Sequence, residues 1–293
     1  AKSPYSGTTV LNISGGTVKS IYGAGSGRNK SIPTFSGELD INITGGSVGN
    51  VYGSGSAAYV TSSGSEISKV RITATGGVIG NIFAAGIGGE ASVSAENEAN
   101  QTLAKDFGSL TGDVTITIKD NAEITGDVYT SGSGHDTTGT PGYDITQNAY
   151  LKGNVTLNIS GGAIQGNVYG GGKNAKVKGR IIISISGGTI QGNVYGGGSE
   201  GLVQGKTNIK IEDGTINGSV YGGALGKAGE RYVLGGSTVN LTGGWIRGNL
   251  YGGSEFSNDG PEEGDPEDLI FLNFVGGKVS GKVFGGGYQG ITN

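Results

Sequence analysis

Two nearly identical strings, GGAIQGNVYGGG from Gly161 to Gly172 and GGTIQGNVYGGG from Gly187 to Gly198, lie 26 residues apart. A unit this short cannot bury an apolar face alone, so a chain that repeats it must stack neighbouring copies. Following the aromatic of each copy gives Tyr22, Tyr52, Phe83, Tyr129, Tyr169, Tyr195, Tyr221, Tyr251 and Phe284, nine copies in all.

Within a copy, apolar and polar residues alternate, which marks a strand with one buried face. Val155, Leu157 and Ile159 point one way, as do Ile181, Ile183 and Ile185 in the next copy. The outward position between the last two is polar every time: Asn12, Asn42, Thr73, Thr117, Asn158, Ser184, Lys210, Asn240 and Asn273. A turn follows, usually Gly-Gly as at Gly187-Gly188, and then two more inward residues such as Ile190 and Val194. No apolar 3.6-residue period survives, and glycine at this density, 64 of 293 residues, disfavours helix.

These patterns predict an all-β fold, a right-handed parallel β-helix (β-solenoid) of about nine rungs with loops inserted along one edge. Residues 1–293 are expected to form a single domain. Inward spacing after the turn is three residues from Val18 to Ile21, Val48 to Val51 and Ile79 to Ile82, but four from Ile124 to Val128 onward. That change separates two sub-blocks, 1–111 and 112–293.

The motif ISGGTIQGNVYGGG, with its variants around Tyr22, Tyr52 and Tyr221, resembles the glycine-rich repeats of parallel β-helix regions in large bacterial cell-surface and adhesin proteins. Those regions share the pectin-lyase-like architecture. The resemblance covers nearly the whole chain and implies the solenoid, not an activity, because that architecture hosts lyases, hydrolases, tailspikes and adhesin passengers alike.

Composition narrows the function classes. With 20 Lys and Arg against 24 Asp and Glu, the net charge is −4 and no basic stripe is present, so a nucleic-acid partner is not expected. No apolar run approaches the ~20 residues of a membrane span. Cysteine is absent, which removes disulfides, thiolate metal sites and Cys nucleophiles. Methionine is absent too, and the chain opens on AKSPYSG, so it reads as a piece of a longer protein with its targeting signals elsewhere.

Candidate sites fall in three places. Insertions at Gly23–Gly37, Gly53–Ser68, Ala84–Thr111, Thr130–Lys152, Gly222–Gly236 and Gly252–Asp268 all follow the aromatic, and should gather on one side. Loops there form a binding surface or are merely tolerated. The aromatics, with Tyr129, Tyr169, Tyr195, Tyr221 and Tyr251 foremost, either project as a ladder on which sugar rings stack, or fill a corner beneath the loops. The second reading explains why Phe83 and Phe284 serve as well as Tyr. His135 and Asp136, in SGSGHDTTG, add a loop candidate for ligand binding. The acidic string NDGPEEGDPED, with Asp259, Glu262, Glu263, Asp265 and Asp268, offers oxygen ligands to Ca²⁺, although its spacing is not that of an EF-hand. No other cofactor is expected.

No catalytic residue is assigned. Asp120 and Asp213 share a phase but lie three copies apart, while Glu38, Lys69 and Asp113 on consecutive copies read as a surface ion-pair ladder. The Asn column of Asn50, Asn81, Asn167, Asn193 and Asn249 reads as structural, each amide bonding to the copy above. The expectation is a non-catalytic, monomeric adhesin or display domain, secreted or at the cell surface. It would bind a host or cell-surface glycan or protein through its loop edge. A structural stalk is the first alternative, and a polysaccharide lyase or glycoside hydrolase the second.

Overall fold

A computed structural model describes residues 5–26, 34–56, 59–61, 68–88, 108–134, 149–228, 230–259 and 269–289. Among them there are strands and turns but no helix, and one parallel sheet takes in 21 strands. A separate pair joins Arg231–Val233 to Asn258–Asp259.

Like residues of successive copies pair. Val114, Val155 and Ile181 align at one inward position; Ile116, Leu157, Ile183 and Ile209 align at the next. Past the turn, Ile124, Ile164, Ile190, Ile216 and Ile246 form a third file, and Val128, Val168, Val194, Val220 and Leu250 a fourth. All are fully or almost fully buried and belong to one aliphatic core. β-Branched side chains suit these positions because their restricted χ1 fits a pleated, packed surface. Thr207 and Ser237 also point into it. Their hydroxyls donate to the carbonyls of Gly222 and Gly252 at 2.7 and 2.6 Å, so neither is left unsatisfied.

The open β-helix predicted from the periodicity is overturned by how this sheet closes. Thr34–Tyr52 pairs with both Ser68–Ala74 and Val78–Phe83. Ser68–Ala74 continues to Leu110–Ile118 and then Val155–Ile164, which returns through Glu123–Ile124 to Val78–Phe83. The circuit is a six-strand parallel barrel with further strands outside it, not a solenoid. The physical reason lies at the Gly-Gly turn. There, Thr34–Tyr52 and Val155–Ile164 each run through as one strand, with a local register irregularity instead of a break. Each therefore has partners on both sides of the turn.

The second glycine of the pair takes positive φ, 82° at Gly188 and 79° at Gly277, a region that side chains with Cβ avoid. Copy four has Asp120 instead, at φ 56°, and Asp is among the few residues that tolerate it. The change from three-residue to four-residue spacing falls where Ile79 pairs Ile124 and Ile82 pairs Val128, and the sheet absorbs it without losing either contact.

Candidate functional site

The aromatics form one file of nine stacked rings. Successive centroids from Tyr22 to Phe284 lie 4.7–5.0 Å apart with interplanar angles of 1–7°. The spacing follows from the sheet, since paired strands sit ≈ 4.7–4.9 Å apart and hold their side chains at that pitch. Tyr129, Tyr169, Tyr195, Tyr221 and Tyr251 are only 3–5% exposed. The strand does turn Tyr169 away from Val168 and the aliphatic core, but Ile87 and Leu225, from the start of inserted segments, pack over the ring file. These rings are a second core. Of the two readings of the aromatics, packing beneath the loops is the one this burial fits, each ring in the middle of the file lying between two others.

The phenols are hydrogen-bonded where they emerge. Tyr129 donates to Asp127 Oδ2 at 3.1 Å, and Tyr195 donates to Glu255 Oε2 at 2.5 Å while accepting from Asn193 Nδ2 at 2.9 Å. Asn249 Nδ2 donates to the Tyr251 hydroxyl at 3.2 Å. Burial foremost, and then the charge of Asp127, pushes Tyr169 up to about 12; burial likewise raises Tyr129, Tyr195 and Tyr221. Because the unfolded chain ionises its tyrosines near pH ~10, the stability from these neutral phenols is complete below that value. It is lost as pH rises from about 10 toward 12, where Tyr169 ionises in the folded state. A tyrosinate absorbance titration should show the described ring tyrosines ionising late, in step with alkaline unfolding. Ordinary titration near pH ~10 with the fold intact would contradict it.

Beside the rings runs the amide column. Asn81 Nδ2 donates to Asn50 Oδ1 at 2.9 Å, and Asn81 Oδ1 then accepts the Asp127 amide at 2.8 Å. The series continues as Asn167 N to Asp127, Asn193 N to Asn167, Ser219 N to Asn193, Asn249 N to Ser219 and Lys282 N to Asn249, at 2.7–3.0 Å. From Asn81 onward each acceptor satisfies a backbone N–H of the next copy, as the sequence suggested for Asn, whereas Asn50 accepts from a side-chain amide. Asp127 and Ser219 do the same work and were missed; their short polar side chains at the same phase were the available signal.

Other candidates separate. Arg71 bridges Glu38 Oε2 and Asp40 Oδ1 at 2.5 and 2.6 Å, holding the Glu38 carboxyl below the usual carboxylate range. Lys69 reaches Glu38 at 3.8 Å, whereas Asp113 accepts the Asn154 amide at 2.8 Å. Asp120 occupies the turn of its own copy, and Asp213 accepts its neighbour Gly214's amide at 2.7 Å. Trp245 was passed over in the sequence. The Arg247 guanidinium and the Lys278 ammonium each lie over its ring, 4.4 Å from the centroid, and its Nε1 donates to Ser280 Oγ at 2.7 Å.

His135, Asp136, Glu262, Glu263, Asp265 and Asp268 lie outside the described residues, and Asp259 is described only as backbone pairing with Val233. Among the described residues no group of three His, Asp or Glu could hold a metal ion, and no helix is long and apolar enough to cross a membrane.

The inserted segments do leave the body together. Ser26, Ser56, Ile87, Ser133 and Lys173 bridge in parallel from copy to copy just past the rings. Leu151, Val177, Val203 and Val233 form a second such series where the segments return. Comparison with known proteins adds no relative: no family model, curated protein or solved structure matches the chain. Nothing in these comparisons supports adhesion, secretion or carbohydrate binding.

Proposed function

We infer that this chain is a non-catalytic display body, a stiff frame that presents inserted segments on one side to a protein partner. One observation carries the reading. The parallel bridges through Ser26, Ser56, Ile87, Ser133 and Lys173 keep a common exit line, although the connections between copies differ widely in length. A scaffold that fixes its strands and varies only its loops concentrates variation where a partner can be contacted. Two packed cores give that frame its stiffness.

Loop replacement tests this. Residues 89–107, or residues 135–148, are replaced by a short Gly-Ser link, and binding to a protein array is compared with that of the intact chain. Because loop length contributes little to stability, the melting temperature should stay within about 3 °C. Binding to the array protein selected by the intact chain should fall at least about tenfold. Unchanged binding in both replacements, or new reducing ends released from a polysaccharide by the intact chain, would overturn the reading.

A further inference from the structure

Charge is unevenly distributed along the chain. Residues 149–210 hold seven Lys and Arg against one Glu, whereas the rest hold 13 against 23 Asp and Glu. These cations form no basic run in the sequence; the pairing of copies gathers them.

Where the inserted segments return, Leu151, Val177 and Val203 bridge in parallel, so Lys152 and Lys178 stand side by side one residue later. Past the glycines at 153 and 179, Arg180 lies between Asn154 and Lys206. The Val155 amide donates to the Arg180 carbonyl and the Ile181 amide to the Lys206 carbonyl, both at 2.9 Å. Lys210 continues the outward face of the same strand as Lys206, opposite Ser184. Lys152, Lys178, Arg180, Lys206 and Lys210 are all exposed. With paired strands ≈ 4.7–4.9 Å apart, Lys178 has Lys152 beside it, and Arg180 within about 7 Å along the chain.

Earlier copies do not leave like charges together on this face. Glu38 stands opposite Lys69 and Asp40 opposite Arg71, and the two carboxylates hold both cations. The position that alternates in sign through Glu38, Lys69 and Asp113 then passes Asn154 and turns basic at Arg180 and Lys206. Like charges directly opposite on paired strands destabilise a sheet, so Lys152 beside Lys178 and Arg180 beside Lys206 are unfavourable in the isolated molecule. Among the described residues Lys152, Lys178, Arg180 and Lys210 make no ion pair.

We propose that this basic face docks a short acidic segment of a partner protein, whose carboxylates sit between the stacked cations and offset their repulsion. Length decides the class of partner. The patch spans copies five to seven, on the order of 10 Å along the stack, and the rest of the chain is net acidic. A few carboxylates fill such a patch, whereas a long polyanion such as a nucleic acid is repelled beyond it. The patch belongs to the frame and not to the replaced segments, so it stands independently of the display reading.

Fluorescence anisotropy with labelled octaglutamate should show saturable binding to the full chain at about 50 mM salt, weakened about tenfold at about 200 mM. Lys178→Glu/Arg180→Glu should weaken binding by about thirtyfold or more. Both positions are exposed and the change separates like charges, so the melting temperature should not fall. Lys19→Glu/Lys119→Glu, the same change of charge in copies one and four, should bind within about twofold of wild type. The proposal is overturned by no binding at the lower salt, by undiminished affinity in the first variant, or by equal losses in both. Tighter binding to a single-stranded DNA octamer than to octaglutamate overturns it as well.

Discussion

Gly196→Ala is expected to lower the melting temperature by roughly 10 °C, although it adds one methyl group. The new Cβ would overlap the Gly222 carbonyl oxygen and come within 2.9 Å of Thr207 Oγ1. Neither neighbour can easily give way. Thr207 Oγ1 is tied to that same carbonyl, while the Gly196 amide donates to Tyr221 at 2.9 Å. Overpacking in compliant cores costs ~1–3 kcal/mol; against a backbone fixed by pairing on both sides the loss should reach ~3–5 kcal/mol. Calorimetry beside Gly285→Ala checks the cause, since the same change in the last copy enters open space and should shift nothing. Equal losses at both positions would trace the effect to glycine chemistry in general and not to the approach of neighbouring copies.

Tyr195→Ala should cost about 3–5 kcal/mol in denaturant unfolding, and Tyr195→Phe about 1–2 kcal/mol. The ring lies between Tyr169 and Tyr221, 5.0 Å from each, so truncation opens a gap bounded by two ring faces. It also strips Glu255 and Asn193 of their shared hydroxyl partner. Phenylalanine keeps the stack and loses only those bonds, which is why Phe83 and Phe284 fit the same file. If alanine were tolerated within ~0.5 kcal/mol, the rings would be passive surface and the second core would not exist.

Much of this arrangement can be read from residue order. Alternation at Val155, Leu157 and Ile159 gives the buried face, and recurrence every 26 residues aligns it with Ile181, Ile183 and Ile185. Burial of the rings is harder to read. An outward side chain is exposed or covered according to what lies over it, and here Ile87 and Leu225 come from inserted segments with no repeat pattern. Closure of the sheet is illegible for another reason. A Gly-Gly pair signals a corner, yet whether backbone pairing stops there or continues through it depends on the neighbouring copies. Continuation at Thr34–Tyr52 and Val155–Ile164 made a barrel where a break would have left an open winding. The Asn column was legible at its amides and incomplete at Asp127 and Ser219, because chemistry and not identity defines the position.

Ring pitch and strand pitch agree to within a few tenths of an ångström along all nine aromatics. Two periodic files with unequal pitch would drift apart and limit how many units could be added before one had to give. Here neither drifts, so the ring file and the strand ladder hold each other in step from Tyr22 to Phe284.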